Sequence, residues 1–259
     1  MPIVVIALIS FIAWLLSTLA GGGSPFVLIP LVNFILGAAA VPPVITTGML
    51  LGNGQRVFLF WQDIDWRLTL WYLPGGIAGG ILGAYTFAQI HLEWLELLFG
   101  IFLLVSAGSF TFGKKERTFS VRAWYFLPAG FCKAFVSGLV GSSGPVLVPL
   151  YLNYGLVKEE LIGTKALHMF VLHMVKILSY VAFGLLTPQH LGYGLAIGLA
   201  ALPANLIGRY LLKQIKPQQF RQLVLVAMTI SGLLILWGER DLVAGIWSFW
   251  QPFAILLRR

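Results

Sequence analysis

Apolar runs of about 20 residues, separated by short polar or glycine-rich intervals, recur along the whole chain. Their pattern predicts spans near 2–20, 42–62, 68–88, 92–112, 124–142, 160–183, 191–212 and 218–238. Two shorter apolar pieces, 25–37 and 145–156, each follow a glycine-rich break. At about 1.5 Å per residue each piece is roughly 18–20 Å long, too short to cross a hydrocarbon core of about 30 Å unaided. They are predicted as half-helices. The alternation of polar and apolar positions that marks an outer-membrane barrel is absent. The pattern therefore predicts an all-α polytopic integral membrane protein with eight main spans and two half-helices. Residues 3–20 carry no Lys or Arg ahead of them and no convincing cleavage site behind them, so they read as a retained first helix.

The same pattern occurs twice. "GGGSPFVLIPL" (21–31) aligns with "VGSSGPVLVPL" (140–150), and "VITTGML" (44–50) with "LIGTKAL" (161–167). "GAY" (83–85) then meets "GRY" (208–210), and "VSAG" (105–108) meets "TISG" (229–232). The offset stays between 117 and 125 over four separate blocks, a register that chance would not hold. The expected organisation is a first membrane repeat over 1–112, a charged cytoplasmic linker over 113–123, a second repeat over 124–240 and an interfacial tail over 241–259. Paired halves flanking broken helices are the plan of many secondary transporters.

Composition sharpens this picture. Of the 259 residues 59% are hydrophobic and 10% charged, more apolar surface than a soluble domain of this length can hide. The net charge of +8 has no basic domain behind it, so it points to cytoplasmic loops and away from nucleic acid. With parallel repeats, the linker side holds Arg67, Lys114, Lys115, Arg117, Arg122, Arg240, Arg258 and Arg259, against four basic residues opposite. If each short piece returns the chain across the membrane, the repeats are inverted, and the linker side gains Lys158, Lys213, Lys216 and Arg221 and loses Arg240, Arg258 and Arg259. The count is then 9 against 3. Both counts place the linker in the cytoplasm, and the second favours inverted repeats. The single cysteine, Cys132, excludes an intramolecular disulfide.

Backbone broken inside a bilayer is tolerated only where protein buries it or where it lines a wet cavity. "GGGSP" (21–25) and "GSSGP" (141–145) each end one helix and begin another with proline in its first turn. Each new N-terminus offers free N–H groups and the positive end of a dipole to an anion. Gly22, Gly23, Ser24, Ser142, Ser143 and Gly144 are accordingly candidate ligands; close packing by small residues is the alternative. In span 160–183, Lys165, His168, His173 and Lys176 fall within one helical arc of about 140°. Snorkelling accounts for lysines toward the ends of a span, yet leaves two mid-span histidines unexplained. The aligned span carries Thr46, Thr47, Asn53, Gln55 and Arg56, and it meets the second repeat with Thr47 opposite Thr164 and Arg56 opposite His173. These two spans are strongly cationic and hold no intramembrane carboxylate to balance the charge. Thr47, Gln55, Arg56, Thr164, Lys165 and His168 thus join the candidates, with His168 and His173 as proton-coupling residues because histidine changes charge near neutral pH. Lys133, mid-span, and Asn205 and Arg209 are secondary candidates, and Asp63 and Asp65 are read as capping a helix. No nucleotide loop, metal-ligand set, triad spacing or redox motif is present, so neither cofactor nor catalysis is expected.

The glycine-rich breaks before apolar "P-L" segments, with "DIDWRLTLWYLPGGIAGGILGAY" (63–85), resemble the sulfite exporter TauE/SafE family over nearly the whole chain. The resemblance implies a two-halved bacterial inner-membrane transporter for sulfite, sulfonates or related sulfur anions. Its usual pattern has longer glycine runs at the breaks and a small residue where this chain places Lys165; His168, His173 and Lys133 also depart from it. The expected function is secondary transport of a small sulfur-containing oxyanion or organosulfonate, with the lipid bilayer as solvent and protons as a candidate coupling ion. The alternatives are a passive anion channel or the membrane subunit of a sulfur-relay system, and homo-oligomerisation stays open.

Overall fold

The computed structural model describes residues 2–19, 22–89, 120–142, 146–216 and 219. The predicted spans 92–112 and 218–238, most of the linker and the tail lie outside the described residues. Within them the protein is helical throughout, with no strand. The helices are α1 (Pro2–Leu19), α2 (Ser24–Leu36), α3 (Val41–Leu59), α4 (Trp66–Gln89), α5 (Phe126–Val140), α6 (Val148–Tyr154), α7 (Lys158–Ala182) and α8 (Pro188–Gln214). Short 3-10 turns cover 38–40, 61–63 and 123–125. Four stretches are long and apolar enough to cross a membrane: α1, Ala123–Val140, α7 and α8.

The ends of these helices follow from local chemistry. α1 stops at the glycine run, where Gly22 and Gly23 take φ of 145° and 120°, values that residues with a Cβ avoid. α2 starts with Pro25 in its first turn, and Pro42 and Pro43 do the same for α3, where a missing N–H costs nothing. Asp65 caps α4 by accepting from the Leu68 amide at 2.8 Å, as read from the sequence. α7 opens with Glu159 and Glu160 in its first turn, matching the positive end of its dipole. Thr187 and His190 form a reciprocal capping box for α8. α6 is shorter than its sequence pattern suggested, because residues 146–147 form a turn before the helix begins.

Among the described residues, long, short, long, long is the element order on both sides of the linker. The largest helix interfaces are α4·α5, α3·α8, α1·α8, α3·α7 and α4·α7. Exchanging α1 with α5, α3 with α7 and α4 with α8 turns this set of interfaces into itself. The first helix of each half packs on the last long helix of the other half.

Contacts fix the directions. Gly75, Gly79 and Gly83 of α4 lie against the carbonyl oxygens of Leu127, Phe131 and Phe135 of α5, so the two run parallel. A Cβ at any of the three would overlap that oxygen, which is why the "GGIAGGILGA" stripe is small: membrane helices gain contact by backbone approach. α3 and α8 are also parallel, with Thr47 against Gly194, Leu51 against Gly198 and Gln55 bonded to the Leu202 carbonyl. α3 and α7 run antiparallel, for Gly54 meets Phe170 while Phe60 meets Gly163. One end of the bundle gathers the α3–α4 connection, the start of α5, the α6–α7 connection and the end of α8. There Arg67, Arg122 and Tyr154 line one groove, and Asp63 feels the charges of Glu159, Arg209 and Lys213.

Candidate functional site

The two breaks meet. A small cavity is lined by Gly22, Gly23, Ser24 and Pro25 of the first break and by Ser142 of the second. α3 adds Asn53 and Arg56 to its wall, and α7 adds Lys165 and His173. The predicted candidates Gly22, Gly23, Ser24, Arg56, Ser142, Lys165 and His173 therefore share one pocket. Ser143 and Gly144 lie outside the described residues.

Each wall is set by its helix. α2 begins at the pocket with Gly23 as its N-cap and no side chain over its first turn, so the amide end faces the cavity uncapped. Arg56 is held rigidly. Its Nε donates to Asn205 Oδ1 at 2.9 Å, and its Nη2 donates to Thr18 Oγ1 at 2.6 Å and to the Trp14 carbonyl at 3.3 Å. The guanidinium also lies 4.6 Å from the centre of the Trp14 ring, a cation–π distance. Asn205 is locked in turn, donating to Gly52 O and Gln55 Oε1. Lys165 lies close enough to Arg56 and Lys133 for their charges to interact.

Two groups of the wall lack such partners, the indole Nε1 of Trp14 and the imidazole of His173. His173 is 1% exposed, lines the cavity, and neither ring nitrogen has a hydrogen-bond partner among the described residues. Buried polar atoms are rarely left unpaired, and each orphan asks for a partner that binds there. The carboxylates among the described residues, Asp63, Asp65, Glu159 and Glu160, sit at helix connections and the first turn of α7; none lines the cavity. A pocket walled by uncapped amides, hydroxyls, an amide side chain and three basic residues, with no carboxylate among its described lining, is suited to an acceptor-rich anion.

Four other candidates sit elsewhere. His168 faces α4: Tyr151 Oη is 2.8 Å from Nδ1, Thr69 Oγ1 is 3.0 Å from Nε2, and the imidazole stacks on Tyr72 at 4.1 Å. Thr164 accepts the Asp65 amide at 2.8 Å, joining α7 to the start of α4. Thr47 donates to the Pro43 carbonyl and packs on Gly194, and Gln55 ties α3 to α8. Lys176 is fully buried and donates to Ser137 O, Ser137 Oγ and Gly141 O. It therefore caps the carbonyl end of α5 and does not snorkel. Cys132 lies on the exposed face of α5.

Trp14, Ser17, Met49 and Met169 also line the pocket, and sequence reasoning did not single them out. Ser17 carried a signal, for it stands one turn ahead of a glycine break as Ser137 does in the second half. Trp14 and the methionines are apolar residues within apolar spans and carried none.

The model of the sulfite exporter TauE/SafE family matches residues 6–235. The chain belongs to the sulfite exporter TauE/SafE family. Among the family's relatives, the probable membrane transporter protein YunE of Bacillus subtilis (strain 168) is 22% identical over 282 positions, covering 96% of this chain and all of that protein. No solved structure matches the chain. This TauE/SafE protein is thus a multi-pass helical membrane transporter by family, and its pocket lies where both glycine breaks converge.

Proposed function

We propose that this TauE/SafE protein is a secondary transporter of a small sulfur-containing oxyanion or organosulfonate, and that the cavity between the breaks is its binding site. The observation that carries the reading is the junction of the uncapped α2 N-terminus with Lys165, Arg56 and the unpartnered His173 in one carboxylate-free pocket. Sulfur oxyanions present three or four acceptor oxygens and no donor when ionised, which complements this wall. Helix N-termini and desolvated cations bind such groups through charge-assisted hydrogen bonds. The family name supports the sulfur chemistry.

The antiparallel pairing of α3 with α7, together with the exchange relation among the interfaces, supports two inverted repeats. Apart from the buried Arg56, Lys133 and Lys176 and the pocket's Lys165, the described Lys and Arg residues are Arg67, Arg122, Lys158, Arg209, Lys213 and Lys216, all at one end of the bundle. By the positive-inside rule that end is cytoplasmic in a bacterial inner membrane.

A thermal-shift screen of the purified protein against sulfite, thiosulfate, sulfate, sulfoacetate, carboxylates and phosphate tests the reading. Stabilisation by one or more sulfur anions, above that by phosphate and carboxylates at equal ionic strength, is expected. A flat screen would overturn it. Proteoliposome flux that saturates and responds to a pH gradient distinguishes a transporter from a passive channel.

A further inference from the structure

Outside the pocket, three more buried polar groups lack partners among the described residues, Ser10 Oγ on α1 and two that lie together. Lys133 Nζ on α5 and Tyr72 Oη on α4 have no hydrogen-bond partner among the described residues. Lys133 is 4% exposed and Tyr72 fully buried, with the ammonium 6.0 Å from the tyrosine ring centre. The ring cannot swing away to find an acceptor, because it is wedged between Gly130 of α5 and the stacked His168. His168 cannot serve as acceptor either, since Tyr151 and Thr69 occupy both of its nitrogens. The ionisable groups that face Lys133 are Tyr72 from α4 and Lys165, His168 and His173 from α7. No carboxylate is among them.

Both orphans are donors when Lys133 is charged, so the group they lack is an acceptor. An isolated ammonium inside a membrane protein is costly, and a bound anion relieves the cost while completing the hydroxyl's bond. We propose that Lys133 and Tyr72 form a second anion station on the α4–α5 side of Lys165, separate from the cavity between the breaks. Lys165 is near enough to both for their charges to interact, to Arg56 in the cavity wall and to Lys133 at the second station. An anion released from the cavity passes Lys165 to reach Tyr72 and Lys133, which gives the transporter a path of two stations. The inference rests on reading the cavity as an anion site.

Calorimetric titration of the purified protein with sulfite, beside the variants Lys133→Met, Tyr72→Phe and Lys165→Met, tests it. Wild type is expected to bind two equivalents and Lys133→Met one, with the remaining affinity within about twofold. Tyr72→Phe should weaken one of the two at least fivefold, and it carries the test if Lys133→Met does not fold. One equivalent in wild type, unchanged in both Lys133→Met and Tyr72→Phe but lost in Lys165→Met, would overturn the second station and leave the cavity reading standing. No binding by wild type of sulfite, thiosulfate, sulfate or sulfoacetate in the same titration would overturn both.

Discussion

The ammonium of Lys176 on α7 donates to the carbonyl oxygen of Gly141, the residue at which α5 stops. Ser137 supplies two further acceptors from the last turn of the same helix. A helix that ends inside a membrane leaves carbonyls that water cannot reach, and a lysine from a neighbouring helix meets that need. The charge is therefore spent on architecture. Lys176→Met should lower stability by about 1–3 kcal/mol, the usual cost of stranding buried acceptors. Thermal melts in detergent report the loss, while anion affinity per folded molecule should stay within about twofold.

Gly79 and Gly192 make opposite predictions. Gly79 lies against the carbonyl of Phe131, whereas nothing approaches the Cβ position of Gly192. Gly79→Val should force α4 and α5 apart and cost about 3 kcal/mol or more. Gly192→Ala should be neutral or stabilise by up to about 1 kcal/mol through helix propensity. Size-exclusion profiles and melting temperatures of the two variants, measured side by side, check the contrast.

Lys165 and Arg56 both line the cavity, and Arg56 is also bonded to α1 and α8. Lys165→Ala should weaken anion binding at least about tenfold. Arg56→Gln should lose both affinity and stability, because Asn205 Oδ1 and Thr18 are left with fewer partners in a buried site. Unchanged affinity in Lys165→Ala would remove that lysine from the site.

His173 faces the cavity without a partner. If a proton enters with the anion, protonated His173 adds a positive charge to the wall, so affinity rises as pH falls. His173→Gln should flatten that profile in proteoliposomes. An unaltered profile would exclude His173 as the coupling residue.

Asp63 sits in the α3–α4 connection, where burial and the nearby Glu159 raise its carboxyl above the usual range, with Arg209 and Lys213 opposing. A carboxyl raised on folding favours the folded state at low pH, and the benefit is lost as pH climbs through its folded value. Asp63→Asn should therefore raise the melting temperature slightly at pH 7 and leave it unchanged at pH 3. A lower melting temperature at pH 7 would mean that attraction to Arg209 and Lys213 prevails.

Hydropathy located α1, α3, α4, α5, α7 and α8 to within a few residues, because span length and lipid contact are written in composition. The meeting of Ser24 with Ser142 was legible in the paired motifs. The division of the α7 arc was not. Lys165 and His173 face the cavity while His168 and Lys176 turn to α4 and α5. An arc of about 140° is wider than any one neighbour, and a single span's pattern does not say which helix lies at either edge. Asn205 looked minor for a related reason: its weight comes from Arg56, Gly52 and Gln55 on a helix far away in sequence.

The cross-packing of the halves also bears on how the chain is made. Arg56 finds Asn205 across 149 positions of sequence, and α1 rests on α8. A guanidinium already threaded into the membrane must wait for the ribosome to deliver those 149 residues before its partner exists. In that interval the nascent chain needs shelter for a charge in mid-bilayer, from the insertion machinery, from a water defect or from Trp14 and Thr18 alone. A version severed at the linker should therefore give a first half that inserts poorly until the second is supplied in the same cell.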